Sequence, residues 1–414
     1  MIDPQAATHQ PRIIRTLVAG QALGALGMTI GVSTASLLAR KLSGSDMLAG
    51  FSQTAQVLGA ALWSFVLARL MARHGRRLGL VAGYLLGALG ASLAVAASIG
   101  SRFWVLLVGA VLLGGATAAN AAARYAGADL AAPAHKARAI SIVVWATTVG
   151  AVLGPNLTGP AASWARRLGI PELGGPFVLG AVGMLAAAAV IWVWLRPDPL
   201  IASLTTATRA ATQHRSPSRP LWELLRSTPV LMAAIAALAG AHATMVAVMI
   251  MTPLHMDHGG AGLTVIGFVI SVHVLGMFAF APLSGLVADR LGRGRALALG
   301  ALVLGVSLWL SGTSAAGSST RLTAGLFLLG LGWSFATVAG SALIAEWAPG
   351  EARTRVQGAS DVAMSLAAAM GGALAGLVVG VWGYGALNLG AGALVVVVAG
   401  CGVWVWSRAT PHPR

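Results

Sequence analysis

Twelve stretches of about twenty apolar residues, parted by short basic gaps, occupy nearly the whole of this 414-residue sequence. About twenty apolar residues is the length a helix needs to cross the hydrocarbon of a bilayer. The stretches cover approximately 15–39, 47–71, 78–99, 103–127, 139–161, 175–195, 229–254, 264–287, 295–312, 322–345, 358–382 and 386–407. Only 9% of residues are charged, against about 25% in soluble domains. So few charges cannot cover a water-exposed surface, so lipid is the expected solvent for most of the chain. The predicted class is an all-α integral membrane protein of about 12 transmembrane helices.

The net charge of +16 would suggest a nucleic-acid partner in a soluble chain. Here the cations lie in gaps between apolar runs, so no nucleic acid is expected and the partner is the bilayer itself. An even number of spans puts both termini on one side. With the termini placed in the cytoplasm, twenty of the 27 Lys and Arg fall in inner segments, six in outer ones, and Arg124 inside a span. That bias obeys the positive-inside rule and predicts a multi-pass protein of the cytoplasmic (inner) membrane. Arg12 and Arg15 precede an apolar run too long for a signal peptide, which is read as the first span. Cys401 stands alone, which excludes an internal disulfide and a thiolate metal site.

The longest polar gap divides the chain into a first six-helix bundle (1–196), a cytoplasmic linker (197–228) and a second bundle (229–414). The linker holds Ser216-Pro217-Ser218 and room for a short amphipathic helix near Trp222. The two halves carry related inner loops. Between the eighth and ninth spans runs Gly285-Leu286-Val287-Ala288-Asp289-Arg290-Leu291-Gly292-Arg293. Between the second and third runs Arg69-Leu70-Met71-Ala72-Arg73-His74-Gly75-Arg76-Arg77. This doubled loop resembles the signature of the major facilitator superfamily. The resemblance implies two pseudo-symmetric six-helix bundles that rock around a midplane site, a secondary transporter rather than an enzyme, and gating roles for these loops. The first-half loop departs from the pattern, with Ala68 and Ala72 where the family has Gly and Asp. The fifth span carries Gly150, Gly154, Pro155 and Gly159, similar to the glycine-proline motif of the superfamily's antiporters; close helix packing explains it equally well.

Residues 242–277 stand out by composition. Five of the 13 methionines (Met245, Met249, Met251, Met256, Met277) and four of the nine histidines (His242, His255, His258, His273) are here, where an even spread would place about two of the twenty-two. His242, Met245 and Met249 share one helical face, as do His273 and Met277. If those faces meet, they form a ladder of imidazoles and thioethers, entered at His255, Met256 and His258. Such donors suit Cu(I), and histidine inside a membrane is costly unless it has a role. Met245-x-x-x-Met249 followed by His273-x-x-x-Met277 resembles the paired motifs of the CcoA-like copper-uptake branch, which implies that these four residues carry copper as substrate. Copper uptake is the leading expectation; relatives of that branch carry riboflavin or have no known substrate, so a small organic solute, drug-like or riboflavin-like, taken up or exported with protons, is the alternative. A non-transporting receptor or assembly factor on the same scaffold is the alternative of another class.

Asp361 is read as a proton-coupling carboxylate or the partner of a nearby cation, and Arg124 with Asp129 as a charge pair. There is no P-loop, so transport driven by nucleotide hydrolysis is not expected. No resident cofactor is expected, and the chain is expected to work as a monomer.

Overall fold

The computed structural model describes residues 4–210, 220–317 and 320–408, and the regular elements among them are all helices. This follows from the solvent: in hydrocarbon every backbone N–H and C=O must find a partner within the segment. The long helices are α1 (Pro4–Ser43), α2 (Asp46–His74), α3 (Arg76–Gly100), α4 (Phe103–Ala128), α5 (Lys136–Arg167) and α6 (Gly175–Trp194). Two short helices follow, α7 (Pro199–Ala210) and α8 (Leu221–Ser227). Then come α9 (Pro229–His258), α10 (Leu263–Phe278), α11 (Ala281–Leu291), α12 (Arg293–Gly312), α13 (Thr320–Trp347) and α14 (Arg353–Arg408). Among the described residues eleven helical segments are long and apolar enough to cross a membrane, α10 and α11 counting together as one. The 56-residue α14 is interrupted at Gly383, whose φ of 84° only glycine adopts freely. It therefore supplies the last two of the expected spans.

The chain divides into two compact units. The first comprises Met1–Ala131, Ala146–Ser218 and Gly350–Ser365; the second comprises Ala132–Trp145, Arg219–Pro349 and Leu366–Arg414. Most of each unit comes from one half of the sequence. Each also takes in a short piece of the other half: the start of α14 joins the first unit, and the start of α5 joins the second.

Within each unit small residues set the helix spacing. Gly83, Gly87 and Gly90 of α3 lie against Ala119, Ala116 and Gly109 of α4, where an added methyl would collide. In the second unit α13 is buried along most of its length and α9, α10 and α12 pack around it. The loops Gly75 and Gly292 are each the single residue between two helices, with φ of 89° and 95°. A side chain there would strain the turn.

Within the expected linker the short helix near Trp222 is present, at Leu221–Ser227. The flexible reading is corrected at residues 199–210, which are helical, while 211–219, including Ser216-Pro217-Ser218, lie outside the described residues. The local cause is Asp198, whose Oδ1 accepts the backbone N–H of Leu200 and Ile201 and so caps α7.

Candidate functional site

The Met/His stretch lies in the second unit, on α9 and α10. Met245, Met256 and Met277 are buried, Met249 is half-buried, and His258 is exposed. The expected ladder between the two helices is not what forms. α9 and α10 touch each other only slightly; each packs along α13 instead. Their polar side chains accordingly bind α13. The indole Nε1 of Trp333 donates to His242 Nδ1 at 2.9 Å. His273 Nδ1 lies 2.8 Å from the carbonyl of Leu326, which fixes the proton on that nitrogen. The close approach of α10 to α13 is made by Gly276 and Gly330, each facing the other helix's backbone.

A cluster of rings results. Trp333 takes the edge of Phe278 at 5.7 Å between centroids and 78° between planes, and His242 lies at 6.0 Å. Trp333 is buried, whereas His242 and Phe278 remain partly accessible. Nearer the end of α9, His255 stacks on Tyr384 at 4.2 Å and 15°. The Tyr384 hydroxyl lies 2.9 Å from Thr252 Oγ1. Met256, next to His255 in sequence, is fully buried, and His258 is exposed. Neither Trp333 nor Tyr384 was legible as a site residue, because each lies far along the chain from the Met/His stretch.

The second nitrogen of His273 has no hydrogen-bond partner among the described residues, and its residue is fully buried. A carbonyl on one ring nitrogen and a bare lone pair on the other is how proteins orient metal-binding histidines. Among the described residues no group of three His, Cys, Asp or Glu converges, so a metal held here would need methionine sulfur, and Met277 stands one turn further along α10.

The first unit holds two buried ion pairs. The expected pairing of Arg124 with Asp129 is corrected: the two lie on opposite sides of α4. Arg124 Nη2 instead meets Asp361 Oδ1 at 2.6 Å. Its guanidinium also lies 4.6 Å from the ring centre of Tyr125, whose hydroxyl is 2.9 Å from Ser360 Oγ. Asp129 takes Arg76 Nε at 2.8 Å and stands 3.6 Å from Arg353 Nη1. Arg76 further donates to Gln357 Oε1. Arg76 is thus a buried structural cation, not a surface anchor, and Asp129 supplies the carboxylate that the first-half loop lacks at Ala72.

The second-half loop keeps its own acid. Asp289 accepts the backbone N–H groups of Ala137 and Arg138 at 3.2 and 2.9 Å, at the start of α5, and pairs with Arg293 at 3.0 Å. A carboxylate at a helix N-terminus meets both free amides and the positive end of the dipole. Arg293 also binds Glu346 at 2.6 Å and the carbonyls of Ala288 and Pro133. Gly285 lies against Ser141 of α5, and Arg290 is exposed.

Of the fifth-span glycines, Gly150 and Gly154 abut the backbone of α1 around Ala25 and Thr29, and Thr29 Oγ1 donates to the Gly150 carbonyl at 2.7 Å. Gly159 faces open space. The side chain of Pro155 lies outside the described residues.

Comparison with known proteins agrees with this architecture. The family model described as Major Facilitator Superfamily matches residues 17–264 and 243–414. The chain is 37% identical over 402 residues to the uncharacterized MFS-type transporter YdeG of Bacillus subtilis, covering 94% of this chain and 90% of that protein. It is 30% identical over 362 residues to the riboflavin transporter RfnT of Brucella anthropi, covering 86% of each. Among solved structures, the proton:xylose symporter XylE superposes with a TM-score of 0.73 at 14% identity, covering 98% of this chain and 96% of that one. The human organic anion transporter MFSD10 gives 0.71 at 17%, covering 95% and 99%. At such identities the structures speak to the fold alone.

Proposed function

The chain belongs to the Major Facilitator Superfamily, and from that premise we propose that it is a secondary transporter of a small, flat organic solute of the flavin kind. The observation that carries this reading is the ring cluster of His242, Trp333 and Phe278. Three helices of the second unit each contribute one ring to it, and two of the rings keep an accessible face. Aromatic faces bind flat heterocycles by offset stacking, each contact contributing about 0.5–1.5 kcal/mol beyond area burial. The imidazole of His242 adds a polar group for orientation, as solute sites in membranes require. The riboflavin-carrying relative, similar along most of both chains, supports the same class of solute.

Asp361 is proposed as the coupling group. It lies eight residues into the apolar α14 and faces Arg124 within the first unit. Protonation would remove the charge that holds Arg124 and release the start of α14 from α4, the kind of two-state element that alternating access needs. Proton entry and solute binding would then be linked without any chemical step.

One observation favours a second reading, Cu(I) uptake: the buried bare nitrogen of His273 with Met277 one turn away. The first test separates the two in intact cells that lack endogenous carriers. Cellular riboflavin and cellular copper are measured with the wild type, Trp333→Ala, and a His273→Ala/Met277→Ala double variant. Flavin accumulation that falls in Trp333→Ala, with copper unchanged throughout, supports the organic-solute reading. Copper that falls in the double variant, with flavin unchanged throughout, replaces it with the metal.

A further inference from the structure

One cavity lies in neither the ring cluster nor the ion-pair region. It measures about 680 Å³ and is framed by the turn between α2 and α3, the end of α6 and the start of α7, all within the first unit. His74, Arg77, Trp192, Arg196, Asp198 and Ile201 line it.

Its electrostatics are one-sided. Asp198 is the acid in the lining, and both of its oxygens are committed. Oδ2 accepts the backbone N–H of Arg77 at 2.8 Å, and Oδ1 accepts those of Leu200 and Ile201. The carboxylate therefore holds the turn onto α7, and the absence of a side chain at Gly75 makes room for it. Neither Arg77 nor Arg196 makes an ion pair among the described residues. Two guanidiniums and the imidazole of His74 thus face the cavity with no free anion beside them. The Arg77 guanidinium is aimed by the ring of Trp192, 4.7 Å below it.

The cavity wall is also apolar and open on one side. Trp192 and Ile201 are each nearly half exposed. The site falls at the start of α3 and just past the end of α6. That is the depth at which tryptophan and arginine meet headgroups. Guanidinium pairs bind phosphodiester oxygens in a fork, and exposed indole and isoleucine suit the upper acyl chain.

We propose that this cavity is a binding site for the headgroup of an anionic phospholipid of the inner leaflet, such as phosphatidylglycerol. The phosphodiester would lie between Arg77 and Arg196, with the acyl chains along Trp192 and Ile201. The lipid would thereby brace the signature turn at Gly75 against α7. This assignment is independent of what the transporter carries.

Native mass spectrometry of the purified full-length protein in detergent tests it, with phosphatidylglycerol, phosphatidylcholine and inorganic phosphate as probes. The wild type should retain phosphatidylglycerol in preference to phosphatidylcholine. Retention should fall about thirtyfold in Arg77→Gln/Arg196→Gln, the scale expected for two surface cations facing an anionic lipid. Arg166→Gln/Arg167→Gln, at the far end of α5, should leave it unchanged. Equal retention in wild type and the first double variant overturns the proposal. So does equal retention of the two lipids, or capture of phosphate without lipid. Should that variant misfold, photoactivatable phosphatidylglycerol is applied to the wild type. Crosslinks mapping to 74–78 and 192–202 support the site, and crosslinks confined elsewhere overturn it.

Discussion

Arg124 and Asp361, 237 positions apart in sequence, form a 2.6 Å ion pair whose two side chains are each less than a tenth exposed. A buried pair of this kind adds little net stability over an apolar pair, yet removing one partner strands a charge and costs about 3–5 kcal/mol. Arg124→Ala and Asp361→Ala should each lower the thermal unfolding midpoint in detergent markedly, and Arg124→Met/Asp361→Met should lose much less than the sum. Additive losses would show that the pair does not act as a unit.

Asp361→Asn keeps the shape and removes the titratable charge. The account expects solute exchange to survive while accumulation driven by a proton gradient is lost. Flux is measured with equal pH on both sides and then with the outside acidified. A variant that still accumulates solute on acidification would place the coupling group elsewhere.

The fifth-span glycines separate packing from open surface. Gly150 abuts the backbone of α1, whereas Gly159 faces open space. Gly150→Ala should destabilise and impair transport, because an added methyl collides with main chain that cannot yield. Gly159→Ala should be neutral or stabilising by up to about 1 kcal/mol, as for alanine replacing glycine within a helix. Thermal unfolding in detergent reads both.

Asp289→Asn should weaken the hold of the second-half loop on α5. Two amide hydrogen bonds to a charged acceptor and the ion pair with Arg293 are affected. Hydrogen bonds to charged groups contribute about 1.5–3 kcal/mol each, and the asparagine oxygen keeps part of that. Hydrogen exchange at Ala137 and Arg138 should quicken in the variant. Unchanged protection would mean that the loop is held by Arg293 and Glu346 alone.

The spans were legible because bilayer thickness fixes their length and lipid excludes charge, so composition alone carried the fold. The paired signature loops were legible because Gly75 and Gly292 satisfy a backbone demand that only glycine meets easily. The Met/His stretch singled out α9 and α10 but not the helix they pack on. Helical periodicity tells which residues share a face, not which helix that face meets. Arg124 and Asp129 could have been separated in advance. Five positions at about 100° each leave them about 140° apart around the helix, beyond the reach of same-face pairs.

The central claim, a flat organic solute moved through the second unit's ring cluster, is tested most directly by counterflow. Purified protein is reconstituted into liposomes loaded with unlabelled riboflavin, and entry of labelled riboflavin is followed for wild type and Trp333→Ala. The account predicts transient accumulation with the wild type and at least about a tenfold slower entry with the variant, the loss expected when about 1.4 kcal/mol of stacking and hydrogen bonding is removed. No riboflavin entry with the wild type, together with Cu(I) uptake by the same liposomes, would contradict it.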